Sequence, residues 1–121
     1  EISNLTPEIK TGMYRIFQES LTNVVRHAEA KKVEVCLAVA DKMIILHIKD
    51  DGKGFDISAS SQKRTLGILG MKERSLGMGG EYIIESYPGR GTSVMVTIPI
   101  EAGAENLTTK TITNDKDPYS R

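Results

Sequence analysis

A chain of 121 residues with 39% hydrophobic side chains has the length and apolar content of one domain with a modest core. Sixteen basic and sixteen acidic side chains cancel, so no global field draws the chain to nucleic acid or to an anionic membrane surface. Apolar runs such as residues 43–46 are far too short to cross a bilayer, and the mixed, polar residues 1–10 do not read as a signal peptide. Cys36 is the only cysteine, which rules out an internal disulfide and a cysteine-based zinc site. A cytoplasmic, reducing setting is the expectation, with a membrane-anchored parent left open. Glu1 in place of an initiator Met reads as a segment of a longer protein.

The first element is a helix over residues 7–28, with Thr6 as N-cap and Pro7 at the first helical position. Gly12 weakens its start, so the regular part is expected one turn later. Strands at 33–40 and 43–49 follow, joined by a tight hairpin connection at Asp41-Lys42. Residues 50–64 have no period and read as a loop. Helical spacing returns over 69–78, where Met71 and Leu76 are expected in the core, and Gly79-Gly80 stops it. Strands at 81–87 and 92–100 flank a turn at Pro88-Gly89-Arg90-Gly91. Residues 101–121 are polar and aperiodic and read as a disordered tail, leaving one domain over 1–100. This order predicts an α/β fold, a two-layer sandwich with a mixed sheet and helices on one face.

On the first helix, Met13, Phe17, Ser20, Val24 and Ala28 form the apolar centre. Glu19, Asn23 and Arg26 make a polar stripe beside it, with His27 at the edge of the apolar face. A solvated flank would look the same. Yet asparagine forms helices poorly and its short amide does not reach past neighbours to water as Lys does. An amide oxygen at Asn23 can take one position around Mg²⁺, leaving the others to phosphates and water. Arg26 and His27 can meet phosphate oxygens one turn later.

In the second strand Ile44, Leu46 and Ile48 share the inward face, and Asp50 has their parity while Asp51 points the other way. Asp50-Asp51-Gly52-Lys53-Gly54-Phe55 thus ends a strand with one carboxylate aimed under the helices, able to accept from an exocyclic amine such as that of adenine. An ordinary Asp-Gly turn reads the same way. Gly52 and Gly54 permit a sharp turn and a close approach of backbone to ligand. Further on, Gly67 and Gly70 stand where loop becomes helix, a natural phosphate site that Lys63 and Arg64 supplement with charge. No Gly-Lys-Ser/Thr ending makes this a Walker motif. Gly89, Gly91 and Thr92 form either a plain hairpin turn or a pocket wall.

In order and spacing these phrases resemble the Bergerat-fold ATPases, the group that includes sensor kinases, DNA gyrase and its chaperone and mismatch-repair relatives. Arg15-Ile16-Phe17-Gln18-Glu19-Ser20-Leu21-Thr22-Asn23-Val24-Val25-Arg26-His27-Ala28 resembles the N box of sensor histidine kinases paired with LuxR/NarL-type response regulators. Residues 50–54 resemble that subfamily's first glycine box, and Gly67-Ile68-Leu69-Gly70-Met71-Lys72-Glu73-Arg74 its second. The likeness covers about residues 5–100. It implies an ATP-binding catalytic domain with ATP and Mg²⁺ as cofactors. Asn23 would hold Mg²⁺ and Asp50 the adenine amine. Gly52, Gly54, Gly67 and Gly70 would shape the pocket, with Met71 and Thr92 beside them. Arg26, His27, Lys63 and Arg64 would lie near the phosphates, and Glu19 would be the catalytic acid that polarises a water or receiving group.

The loop over 55–66 is short and lacks the aromatic-rich lid segment of longer-lidded kinases. His27 and His47 are the only histidines, and neither sits in a phosphoacceptor context. The expected partners are therefore a separate dimerisation domain bearing the phosphoacceptor histidine and, through the whole kinase, a response regulator. No nucleic acid and no direct membrane contact are expected. Rival readings are an anti-sigma-factor-type serine kinase on the same fold, a gyrase-like ATPase motor, and a non-catalytic nucleotide-binding regulatory module.

Overall fold

Thr6 starts the first helix as expected: its side chain accepts from the amide of Ile9 at 3.2 Å, with Pro7 in the first turn. In the computed structural model, which describes residues 5–100 and 106–113, helix α1 runs Pro7–Asn23 without interruption at Gly12. The expected delay does not occur because Gly12 is buried against the second helix, where a Cβ would press on the Met78 side chain. The chain continues as a π-helical turn over Val24–Ala28, and Glu29 closes it in a left-handed conformation at φ 51°.

Strands β1 (Lys32–Ala40) and β2 (Met43–Asp50) pair antiparallel through the Asp41-Lys42 connection. Both turn residues have positive φ, 54° and 61°, the twist a two-residue hairpin requires. A short 3-10 turn at Ile57–Ala59 precedes helix α2, which spans Gln62–Gly77. The expected loop to residue 64 and helix from 69 are corrected here. Ser61 caps the helix by accepting from the Arg64 amide at 3.2 Å, so helix begins seven residues before the apolar spacing does. Its end is as read from Gly79-Gly80. Gly79 donates to the Leu76 carbonyl at 2.9 Å and Gly80 to that of Ser75 at 3.0 Å, a Schellman closure. Met71 is core at 4% exposure, but Leu76 is 55% exposed and leaves the core prediction.

Strands β3 (Glu81–Ser86) and β4 (Thr92–Pro99) complete the hairpin expected there. Residues 106–113, expected in a disordered tail, form strand β5 (Asn106–Thr113) on the free edge of β1. β-Branched threonines fit a pleated edge without supplying an apolar period. The rest of the predicted tail lies outside the described residues.

The sheet order is β3-β4-β2-β1-β5, and all its pairings are antiparallel, a narrower arrangement than a mixed sheet. Short hairpins impose that direction on β1–β2 and β3–β4. Ile44, Leu46, Ile48, Val94, Val96 and Ile98 face the helices, and Met13, Ile16 and Met71 meet them. Burying each such side chain contributes about 1.5–3 kcal/mol. Both helices lie on this one face, so the two-layer α/β sandwich stands. Among the described residues, no helix is long and apolar enough to cross a membrane.

Candidate functional site

Alternation along β2 delivers Asp50 to the helix-facing side, where it is 5% exposed. Gly52 donates its amide to Asp50 Oδ1 at 2.8 Å. Burial raises the Asp50 pKa above the ordinary carboxylate value, the amides of Gly52 and Thr92 hold it back, and the charge of Asp51 adds to the rise. Asp51 turns outward and accepts the amides of Lys31 and Lys32 at 2.9 and 3.0 Å. Those bonds, with the Lys32 amide foremost, lower its pKa. Parity therefore separates two adjacent carboxylates into a cavity group and a structural cap.

Gly52 and Gly54 fix the path of the chain after Asp50. A Cβ at Gly52 would stand 2.7 Å from that of Ala28, at the end of the π turn. Gly54 has φ +62°, and a Cβ there would meet the Gly91 carbonyl at 2.8 Å. Lys53 donates to the Ala28 carbonyl at 2.8 Å, tying this loop to the first helix. No side chain larger than hydrogen allows strand end, helix end and β3–β4 turn to meet so closely.

These contacts close a cavity between α1, the π turn, the start of α2 and the sheet. Asp50 and Thr92 lie on its floor with Ile48, Ile84 and Val94. Asn23, Ser20, Val24 and His27 come from the first helix, and Gly54, Phe55 and Arg64 from the segment above. Its volume is about 40 Å³, room for about three waters, whereas small-molecule sites run to about 300–1,000 Å³. The Arg64 guanidinium lines it, stacked 4.1 Å over the Phe55 ring.

Of the residues singled out in the sequence, Asn23, His27, Asp50, Gly54, Arg64 and Thr92 meet around this space. Others do not line it. Arg26 faces a separate shallow groove with Tyr14, Gln18 and Thr22. The π turn, with its wider i→i+5 bonding, changes the phase that a regular helix would give after Asn23. It keeps His27 at the cavity and swings Arg26 outward. Gly52 works one layer behind, against Ala28. Gly67 and Gly70 lie inside α2, not at its start, so their amides do not form the expected helix-end phosphate site. Met71 is held in the core, its sulfur 3.6 Å from Ser20 Oγ and 3.8 Å from the Tyr82 hydroxyl. Glu19 is exposed beside α2, its Oε2 3.4 Å from where a Gly67 Cβ would stand, and its charge, after burial, raises the Tyr82 pKa.

Lys63 is exposed and outside the cavity but contributes to its field. The His27 pKa is lowered by partial desolvation first, then by the positive charges of Arg64, Arg26, Lys53 and Lys63. Arg64 on the cavity wall, with Arg26, Lys53 and Lys63 further out, gives this side a positive field suited to polyanionic phosphate. Sequence reading missed the apolar lining of Ile48, Ile84 and Val94, and it missed Ser86. Alternation marked Ile48 as an inward residue, which any core strand also produces, and Ile84 and Val94 were not singled out.

Residues 8–102 match the family described as histidine kinase-, DNA gyrase B-, and HSP90-like ATPase. The chain is 35% identical over 102 residues to the signal transduction histidine-protein kinase/phosphatase DegS of Bacillus subtilis, covering 83% of this chain and 26% of that protein. It is 39% identical over 95 residues to the sensor histidine kinase LiaS of the same organism, covering 76% and 25% respectively. Among solved structures, the histidine kinase domain of the Erythrobacter litoralis EL346 blue-light activated kinase superposes with a TM-score of 0.64 at 23% identity, covering 77% of this chain and 45% of that one. This chain belongs to the histidine kinase-, gyrase B- and HSP90-like ATPase family. It is an ATP-binding domain of that family, related to sensor histidine kinases whose length it spans by about a quarter.

Proposed function

We propose that the chain is the catalytic domain of a sensor histidine kinase of the LuxR/NarL-paired subfamily, binding ATP-Mg²⁺ and donating the γ-phosphoryl group to a histidine on a separate dimerisation domain. The observation that carries it is the convergence of Asp50, Thr92, Asn23, His27 and Arg64 on one apolar-walled cavity. Adenine would lie between Ile48, Ile84 and Val94, with its amine donating to Asp50. The triphosphate would run toward His27 and Arg64, where the positive field lies. A cavity of about 40 Å³ is far smaller than a nucleotide, so binding needs the site to open, and the Arg64–Phe55 stack on its wall is the contact placed to give way.

No cluster of three or more His, Cys, Asp or Glu side chains able to hold a metal occurs among the described residues. Mg²⁺ here would be taken up with the nucleotide, through one amide oxygen, phosphates and water. Asn23, half-buried at the cavity, would supply that oxygen. When bound, the ion offsets charge developing on the phosphoryl group. In the transfer itself, a ring nitrogen of the acceptor histidine attacks the γ-phosphorus in line, the bond to the β–γ bridging oxygen breaks, and ADP leaves. This chain's contribution is to hold the donor, shield it from water and present the γ-phosphate. Glu19, beside α2 rather than on the cavity wall, is the candidate to orient the acceptor imidazole. His47 is no acceptor on this reading, since its Nε2 is 2.8 Å from Ser93 Oγ on the outer face of the sheet.

The test is to incubate the chain with ATP, Mg²⁺ and a purified helical dimerisation domain from a kinase of this subfamily. Acid-labile phosphate on that domain is the expected product. Acid-stable phosphate on a protein partner would instead support the serine kinase, and ATP binding without transfer to any histidine domain would support a regulatory module.

A further inference from the structure

Ser86 ends β3 on the inward face of the sheet and is 4% exposed. It stands opposite Thr92 in the register, and Thr92 stands opposite Asp50, so the three make one transverse row under the cavity. Three polar contacts converge on its hydroxyl oxygen. The amide of Phe55 donates to it at 2.9 Å. The Gly91 carbonyl lies at 3.1 Å and Thr92 Oγ1 at 2.8 Å.

A hydroxyl has one proton and two lone pairs. A carbonyl oxygen only accepts, so the Gly91 contact is a hydrogen bond only when Ser86 gives its one proton there. An amide only donates, so Phe55 occupies one lone pair. A single lone pair then remains, and Thr92 must be the donor in the third contact. The reverse assignment sets Ser86 Oγ against the Gly91 carbonyl with no proton between them, a costly arrangement where water is excluded. The Thr92 proton therefore points along the sheet toward β3, and its oxygen offers the cavity lone pairs alone. Asp50 beside it also offers only lone pairs, with Oδ1 already accepting from Gly52.

We propose that Ser86 is a positioning residue that sets base specificity. By fixing the hydroxyl proton of Thr92, it makes the polar floor of the cavity acceptor-only. With the 6-substituent of the base seated against Asp50 and Thr92 and ring N1 to one side, such a floor accepts the N–H bonds of a 6-amino purine and repels the carbonyl oxygen of a 6-oxo purine. Ser86 acts through Thr92 and does not touch the base. The proposal rests on the reading that the base lies against Asp50. Sites built on buried polar complementarity discriminate more steeply than apolar ones, because a mismatch leaves groups unpaired.

The experiment measures dissociation constants of ATP and of inosine triphosphate, with Mg²⁺, by calorimetry on the 121-residue chain. Wild type, Ser86→Ala, Ser86→Thr and Thr92→Val are compared. Ser86→Ala frees the Thr92 proton to turn into the cavity. ATP should weaken while inosine triphosphate holds or tightens, so the preference for ATP falls about tenfold, the equivalent of one hydrogen bond. Ser86→Thr, which keeps a hydroxyl, should retain the preference. Thr92→Val removes the acceptor and should reduce it likewise, which keeps the test decisive if Ser86→Ala fails to fold. Equal weakening of both nucleotides, or an unchanged preference in Thr92→Val, would overturn the proposal while leaving the ATP site standing. Failure of the wild type to bind ATP would overturn the functional reading and this inference together.

Discussion

Asp50 combines burial with two backbone amides directed at it, so its charge is kept at a cost to the fold. A group whose folded pKa is raised above the unfolded value disfavours folding while ionised. Asp50→Asn removes that charge, keeps an oxygen for the Gly52 amide, and replaces an acceptor for the base amine with an ambiguous one. Thermal melting should show stability equal to or above wild type at neutral pH. Calorimetry should show ATP weakened about 10- to 100-fold, the range of a hydrogen bond to a charged group at about 1.5–3 kcal/mol. His27 carries the opposite shift. Its folded pKa lies below 6.5, with partial desolvation and then Arg64 as the largest causes. Its contribution to stability is therefore present above the unfolded value and is lost as pH falls through the folded one. Bound phosphates add negative charge beside the ring and raise its pKa, so binding takes up a proton. ATP affinity should increase as pH falls from about 8 toward 6, and His27→Gln should remove the part of that increase that is not due to the nucleotide's own protonation. An affinity slope identical in both proteins would place His27 away from the phosphates.

Helix α2 shows most plainly what an apolar period conveys and what it hides. From Ile68 onward the spacing follows the core contacts, and Gly79-Gly80 ends the helix where expected. Before Ile68 the turns bear Gln62, Lys63, Arg64 and Thr65 with no buried stripe, so only the Ser61 cap marks them. A cap is a local polar event and is hard to separate from the serines beside it. Gly67 and Gly70 leave the first half of α2 weakly held, at about 1 kcal/mol each relative to alanine. Nothing lies within 4 Å of a Cβ built at Gly70. Gly70→Ala should therefore stabilise the protein by up to about 1 kcal/mol. It should also weaken ATP or slow its entry, because the turns that carry Arg64 become harder to displace. Stopped-flow binding and thermal melting together check this, and faster entry in the more stable variant would contradict it. The π turn has a similar lesson. Regular 100° spacing grouped Arg26 with Asn23, but the widened turn turns Arg26 out and keeps His27 at the cavity.

Across the molecule, the sandwich and the inward carboxylate were legible because period and parity act over many residues at once. Every inward residue of β2 from Ile44 to Asp50 obeys the same alternation. Strand β5 was not legible, since its threonines carry strand preference without an apolar face and its pairing to β1 is set 60 residues or more away in sequence. Ser86 escaped notice for a comparable reason: a lone serine at a strand end has no signal until Phe55, Gly91 and Thr92 are brought to it. The fold thus gathers a carboxylate, an amide, an imidazole and a guanidinium around a space still too small for the ligand they suit. Titrating the chain with ATP by calorimetry, with and without Mg²⁺ and in wild type beside Asn23→Ala, tests that assembly most directly. One site is predicted, strengthened by Mg²⁺ in the wild type and losing that Mg²⁺ dependence in Asn23→Ala. Absence of binding, or Mg²⁺-dependent binding indifferent to Asn23, would contradict the account.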